Sequence, residues 1–142
     1  MTPTRGLIAL LTGFALALVA QTAPVPAHDH DHPELDGWYQ SLKSGKGPCC
    51  DGPSKDALHL KDVDWETEGE DRNTHYRVKV PKDAASFERA IHGEAVDTVW
   101  VDVPDDAVIH DPNRAGSTLV WPLYGYGYPS ITIRCFMPGT MT

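Results

Sequence analysis

Hydrophobic and polar positions along the chain fall into three regimes. Leu7 to Ala20 (LIALLTGFALALVA) is a continuous apolar run in which only Thr12 is weakly polar. Pro33 to Lys43 changes to helical spacing, with Leu35, Trp38, Tyr39 and Leu42 at i, i+3, i+4 and i+7 on one apolar stripe. Pro33 suits the first turn of that helix, Glu34 and Asp36 favour the positive end of its dipole, and Gly45 and Gly47 end it. From residue 57 onward the period shortens to two. Ala57 to Leu60 and Val63 to Thr67 are weak strand signals, and His75 to Val80 alternates cleanly with Tyr76, Val78 and Val80 on one face. Thr98 to Val103 is the clearest strand, followed by Ala107 to His110, Thr118 to Trp121 and Ile131 to Met137. One helical segment interrupts them: Ala84, Phe87 and Ile91 in Asp83 to His92, with Asp83 as the cap and Gly93 as the end. The pattern predicts a small, mainly β (α+β) domain, a curled sheet or barrel of five to six short strands with an N-terminal helix and one inserted helix.

The first apolar run is an address rather than part of the fold. It is short for a bilayer-spanning helix, follows a single positive charge at Arg5, and leads to Val25-Pro26-Ala27, a small-x-small cleavage site. This divides the chain into a signal peptide (1–27), a His/Asp-rich N-terminus (28–33) and one β-rich domain (34–142). The expected location is the periplasm or the exterior, with no membrane attachment once the signal is removed. The 142 residues carry a formal charge of −8. Arg5 is the one charged residue before His28, so residues 28–142 hold 11 basic against 20 acidic side chains, a net −9. That balance argues against nucleic acid, which needs a basic face to displace counterions, and against anionic lipid.

Cysteine usage fits an oxidising compartment. Of Cys49, Cys50 and Cys135, the last is expected to pair with Cys50 or with Cys49, closing a loop of about 86 residues. Chain entropy puts such a closure at ~4–5 kcal/mol. The thiol left over reads most simply as a partly buried, unreacted group, with a metal ligand, a dimer link or a redox role as the sharper readings.

The order Pro33-Glu34-Leu35, Trp38, Leu42, Cys49-Cys50, Asp64-Trp65, Tyr76-Arg77-Val78, Trp100-Val101-Asp102-Val103-Pro104, Pro112-Asn113-Arg114, Val120-Trp121-Pro122 and Ile133-Arg134-Cys135-Phe136-Met137-Pro138-Gly139 spans nearly all of the chain after the signal. It resembles a family of short exported proteins of rhizobia and related alphaproteobacteria. Members carry the Cys-Cys pair and the Ile-Arg-Cys-Phe ending, and some hold further cysteines that this sequence lacks, which leaves the pairing open. The resemblance implies export and one compact domain, and it implies no particular activity.

Three constellations carry candidate chemistry. His28-Asp29-His30-Asp31-His32 is the sharpest. With the chain cut before His28, the free amine, two amide nitrogens and the His30 imidazole can wrap Cu(II) or Ni(II) in a square plane, with His32 close by. Alternatively His28 chelates alone and one of His59, His75, His92 or His110 completes the site. The plainer reading is a solvated tail, under which the chain has no cofactor. Tyr124, Tyr126 and Tyr128 alternate across glycines and so share one side of an extended loop, a candidate partner surface, whereas Trp38, Trp65, Trp100 and Trp121 read as core anchors. Catalysis has the least support. No nucleophile elbow, phosphate loop, dinucleotide fingerprint or His-Glu-x-x-His is present, and Asp102, Asp105, Asp106 and Asp111 near His110 fit an acidic loop as well as an oriented base. The expectation is an exported, non-catalytic binding or interaction domain whose partner is a protein or another envelope component. A copper- or nickel-handling protein and a small envelope enzyme are the alternatives.

Overall fold

A computed structural model describes residues 32–51, 56–70, 73–125 and 130–139 of the chain. The apolar stripe near the start forms as one 3-10 turn, Pro33–Leu35, running into helix α1, Asp36–Ser41. Leu35, Tyr39 and Leu42 are buried, with Trp38 half-buried beside them. The helix is shorter than its periodicity suggests because Leu42 is already extended, and a small hairpin of β1 (Lys43–Ser44) and β2 (Gly47–Pro48) begins at once. That hairpin needs its glycines. A Cβ on Gly45 would lie 2.9 Å from the Asp106 carbonyl oxygen, and Gly47 has φ +106°.

Two three-stranded antiparallel sheets make up the rest. The first is ordered β3 (Leu58–Leu60), β7 (Thr118–Tyr124), β8 (Ile131–Met137). The second is ordered β4 (Trp65–Glu68), β5 (His75–Pro81), β6 (Thr98–Val103). They pack on each other through Val78, Val80, Val103, Val120, Ile133 and Phe136, and the segment after β6 joins the first sheet where Val108 bridges Phe136 in parallel and the Ile109 N–H donates to the Phe136 carbonyl at 2.8 Å. The described residues are therefore mainly β, with three small open sheets and two short helices, rather than a closed barrel. Ala107 to His110, expected as a strand, contributes that one bridge after a 3-10 turn at Asp105–Ala107. Among the described residues no helix is long and apolar enough to cross a membrane.

The β7–β8 ribbon has apolar cover on both faces, which explains why Thr118–Tyr124 is nearly continuous in apolar residues. Leu119, Trp121, Cys135 and Met137 pack with Leu35, Tyr39 and Leu42 under α1. Val120, Ile133 and Phe136 pack with Val78, Val80 and Val103 of the second sheet. Strict alternation would put Ile133 and Cys135 on the same face. The register shifts between Trp121, opposite Cys135, and Pro122, opposite Ile133, so Arg134 is the extra residue and Ile133 turns to the other core. Pro122 has no N–H to give the ladder, which suits it to this irregular position.

Helix α2, Ala84–Ile91, follows β5 as its spacing predicts. The Asp83 side chain caps it by accepting from the Ser86 N–H at 2.7 Å, a bond that also holds the carboxyl below its usual range. Phe87 is buried beneath it.

The disulfide joins Cys49 to Cys135, with Cα atoms 5.7 Å apart, and Cys50 stays outside it as a thiol. Of the two pairings the sequence leaves open, Cys50–Cys135 is thereby replaced by Cys49–Cys135. The Cys49 N–H donates to the Leu42 carbonyl at 3.0 Å, and its side chain is fully buried in the α1 core alongside Cys135.

Candidate functional site

Alternation on β5 sends Tyr76, Val78 and Val80 inward and His75, Arg77 and Lys79 to the opposite, outer face. Register then decides what stands beside each. Across β4, Glu66 pairs with Arg77 and Glu68 with His75, and across β6, Asp102 pairs with Arg77 and Trp100 with Lys79. The outer face thus gathers seven polar or aromatic side chains from three strands: Glu66, Glu68, His75, Arg77, Lys79, Trp100 and Asp102.

Arg77 is its hub. Its Nη1 lies 2.7 Å from Glu68 Oε2 and 3.7 Å from Glu66 Oε1, and its Nε lies 3.0 Å from Asp102 Oδ1. Single exposed ion pairs contribute ~0–1 kcal/mol, so the strand register sets the geometry of the face and the guanidinium shared among three carboxylates adds to it. His75 Nε2 stands 3.6 Å from the same Asp102 oxygen. Trp100, half-buried, has the Arg77 guanidinium carbon 5.5 Å and the Lys79 Nζ 5.0 Å from its ring centre, so two cations approach one indole.

The residues singled out in the sequence are placed differently. His28 and His30 lie outside the described residues. His32 is exposed, its Nδ1 2.9 Å from Glu34 Oε1. Tyr126 and Tyr128 are also outside the described residues, while Tyr124 is half-buried. Its hydroxyl donates to the Pro81 carbonyl at 2.8 Å and its ring packs on Phe87, which draws it into packing within the chain, and burial pushes its phenol well above the usual range. His59 Nδ1 lies 2.9 Å from Ser117 Oγ, and His59 and His92 line a cleft of about 230 Å³ with Asp56, Leu58 and Ile91. His110 and Asp111 are exposed, and the nearby acids are drawn elsewhere, Asp106 to Lys46 at 3.3 Å and Asp102 to Arg77. These groups do not assemble a general base with His110.

Cys50 donates its S–H to the Tyr39 carbonyl at 3.4 Å. Burial pushes the thiol up to about 11, with the Asp56 charge adding to the rise and the Trp121 indole N–H opposing it. Two units above the ordinary value lower the thiolate fraction at pH 8 about a hundredfold, and the greater nucleophilicity of a more basic thiolate returns about tenfold. Iodoacetamide should therefore alkylate the folded chain roughly tenfold more slowly than the unfolded, unreduced chain. The rate should keep climbing between pH 9 and pH 10 rather than levelling, and mass spectrometry should count one labelled thiol. Fast labelling at pH 7, or more than one label without reductant, would refute this placement.

Glu66, Glu68, Arg77 and Lys79 were not legible as a site in the sequence. Period two on β5 marks His75, Arg77 and Lys79 as outward, but only the register brings in the acids of β4 and β6. No protein-family model matches this chain, and no match is found among curated proteins or solved structures.

Proposed function

We propose that the chain is an exported, disulfide-closed binding domain of the cell envelope, and that its partner docks on the outer face of β4–β6. The observation that carries this reading is where the polar groups converge. They collect on an exposed sheet face with an Arg on its central strand and a Trp beside it, two residue types that often anchor protein interfaces. Arg77 and Lys79 are flanked by Glu66, Glu68 and Asp102, so the face presents alternating signs at fixed spacing. Such a pattern selects a partner by charge register more than by net charge, which suits a protein ligand. Export follows from the N-terminal apolar run and agrees with a buried disulfide, the form cysteines take in oxidising compartments.

The test is a photo-crosslinking amino acid placed at Lys79 and, in a second strain, at Glu94 as a remote exposed control. Cells producing the full chain are irradiated and the envelope fraction is examined. The expected result is a defined adduct from position 79 alone, lost when Trp100→Ala is added, on a chain whose first residue is His28. Equal adducts from both positions, none at 79, or a chain retained in the cytosol would overturn the reading.

A further inference from the structure

The same face carries a second constellation, one that does not depend on a protein partner. Glu68, His75 and Asp102 each offer one ligand atom, and these atoms all lie within 4.8 Å of one another. Bound to a metal at ~2.1 Å, such atoms would stand a little over 3 Å apart, a change that exposed side chains make by adjusting their outer torsions. The backbone positions are fixed by the sheet. Glu68 and His75 are cross-strand partners, and Asp102 stands opposite Arg77, diagonal to His75. This is more than an acidic cluster, because it includes an imidazole nitrogen and a cation already sits in it. Arg77 reaches Glu68 Oε2 at 2.7 Å and Asp102 Oδ1 at 3.0 Å, two of the three ligands.

We propose that Glu68, His75 and Asp102 form a binding site for a divalent first-row transition ion, with Arg77 as the exchangeable cation that holds the site when no metal is present. One imidazole and two carboxylates suit zinc, nickel or copper better than calcium or magnesium, which prefer all-oxygen shells. Three protein ligands leave at least one coordination position for water or a partner's donor. Arg77 has somewhere to go when displaced. Glu66 Oε1 is already 3.7 Å from its Nη1, and the Trp100 ring lies beneath the guanidinium. The arginine therefore lowers metal affinity without closing the site, and prevents two carboxylates from facing each other uncompensated.

The site is separate from His28, His30 and His32, and the test keeps them apart. Zinc is titrated into the full exported chain carrying His28→Ala, His30→Ala and His32→Ala, followed by calorimetry and amide NMR. One equivalent should bind, with shifts centred on residues 66–68, 75–77 and 101–103. His75→Ala should weaken binding by about tenfold or more. Arg77→Gln should tighten it by about thirtyfold, since a unit charge about 4 Å from a divalent ion costs about 2 kcal/mol even at the dielectric constant of water. Amide dispersion shows whether each variant is folded, and Asp102→Asn replaces His75→Ala if the latter is not. No zinc binding by the tail-silenced chain, binding unmoved by the ligand substitutions, or weaker binding in folded Arg77→Gln would each overturn the proposal.

Discussion

Replacing Cys49 and Cys135 together by alanine is expected to remove about 3–5 kcal/mol from the unfolding free energy. The bond spans 86 residues of sequence, so its loss frees most of the described β structure in the unfolded ensemble. Loop closure of that length accounts for ~4.6 kcal/mol. Both sulfurs are fully buried in the α1 core, and removing them also leaves space there that β7 and α1 fill only in part. In a domain of this size the melting temperature should fall by more than about 10 °C. The double variant matters, because in Cys49→Ala alone the neighbouring Cys50 is free to capture Cys135. Cys50→Ala supplies the contrast: it removes a half-buried thiol that closes no loop and donates weakly to the Tyr39 carbonyl, and should cost about 1 kcal/mol or less. Urea unfolding of the three chains reads these differences. A double variant within 1 kcal/mol of the parent would mean that the bond does not constrain the unfolded state.

The disulfide also shows where sequence reasoning reaches and where it stops. Three cysteines in a chain that reads as exported point to one bridge, and Cys135 in a strand is one end of it. The choice between adjacent Cys49 and Cys50 depends on which side chain the turn after β2 directs at β8, and that direction is tertiary. β5, β6, β8 and α2 were legible because each shows its own period over six or more residues. The β1–β2 hairpin was not, since two-residue strands have no period and their Gly-rich stretch reads as loop. The sequence pattern ends β7 at Trp121 because Pro122 to Pro129 reads as a Gly/Tyr turn region. In the structure Pro122 is accommodated by the irregularity at Arg134, and the strand continues to Tyr124. That continuation draws Tyr124 against Phe87. The outer face of β4–β6 was hidden for a related reason. Each of its residues is visible as a polar position, but their grouping is a matter of cross-strand register, which local pattern does not encode.

Phe136 tests whether the two sheets stand or fall together. Its ring is fully buried, 5.0 Å from Tyr76 and 6.2 Å from Trp65, both of the second sheet. Its backbone belongs to the first sheet, opposite Val120 on β7, and takes the Val108 bridge and the Ile109 N–H. Phe136→Ala is therefore expected to cost about 3–5 kcal/mol, at the level of large buried aromatic truncations. Phe136→Leu, which keeps most of the apolar volume and loses the ring contacts, should cost about 1–2 kcal/mol. The cost should not remain local. Tyr76 and Trp65 back the strands that carry Arg77, Glu66 and His75, so the cavity lies directly beneath the outer face. Amide hydrogen exchange of Phe136→Ala should lose protection in Trp65–Glu68 and His75–Pro81 as well as in Ile131–Met137. Loss confined to β7 and β8 would show that the sheets open independently. The outer face would then rest on the second sheet alone, and its ion pairs would have to hold a geometry that exposed pairs rarely hold by themselves.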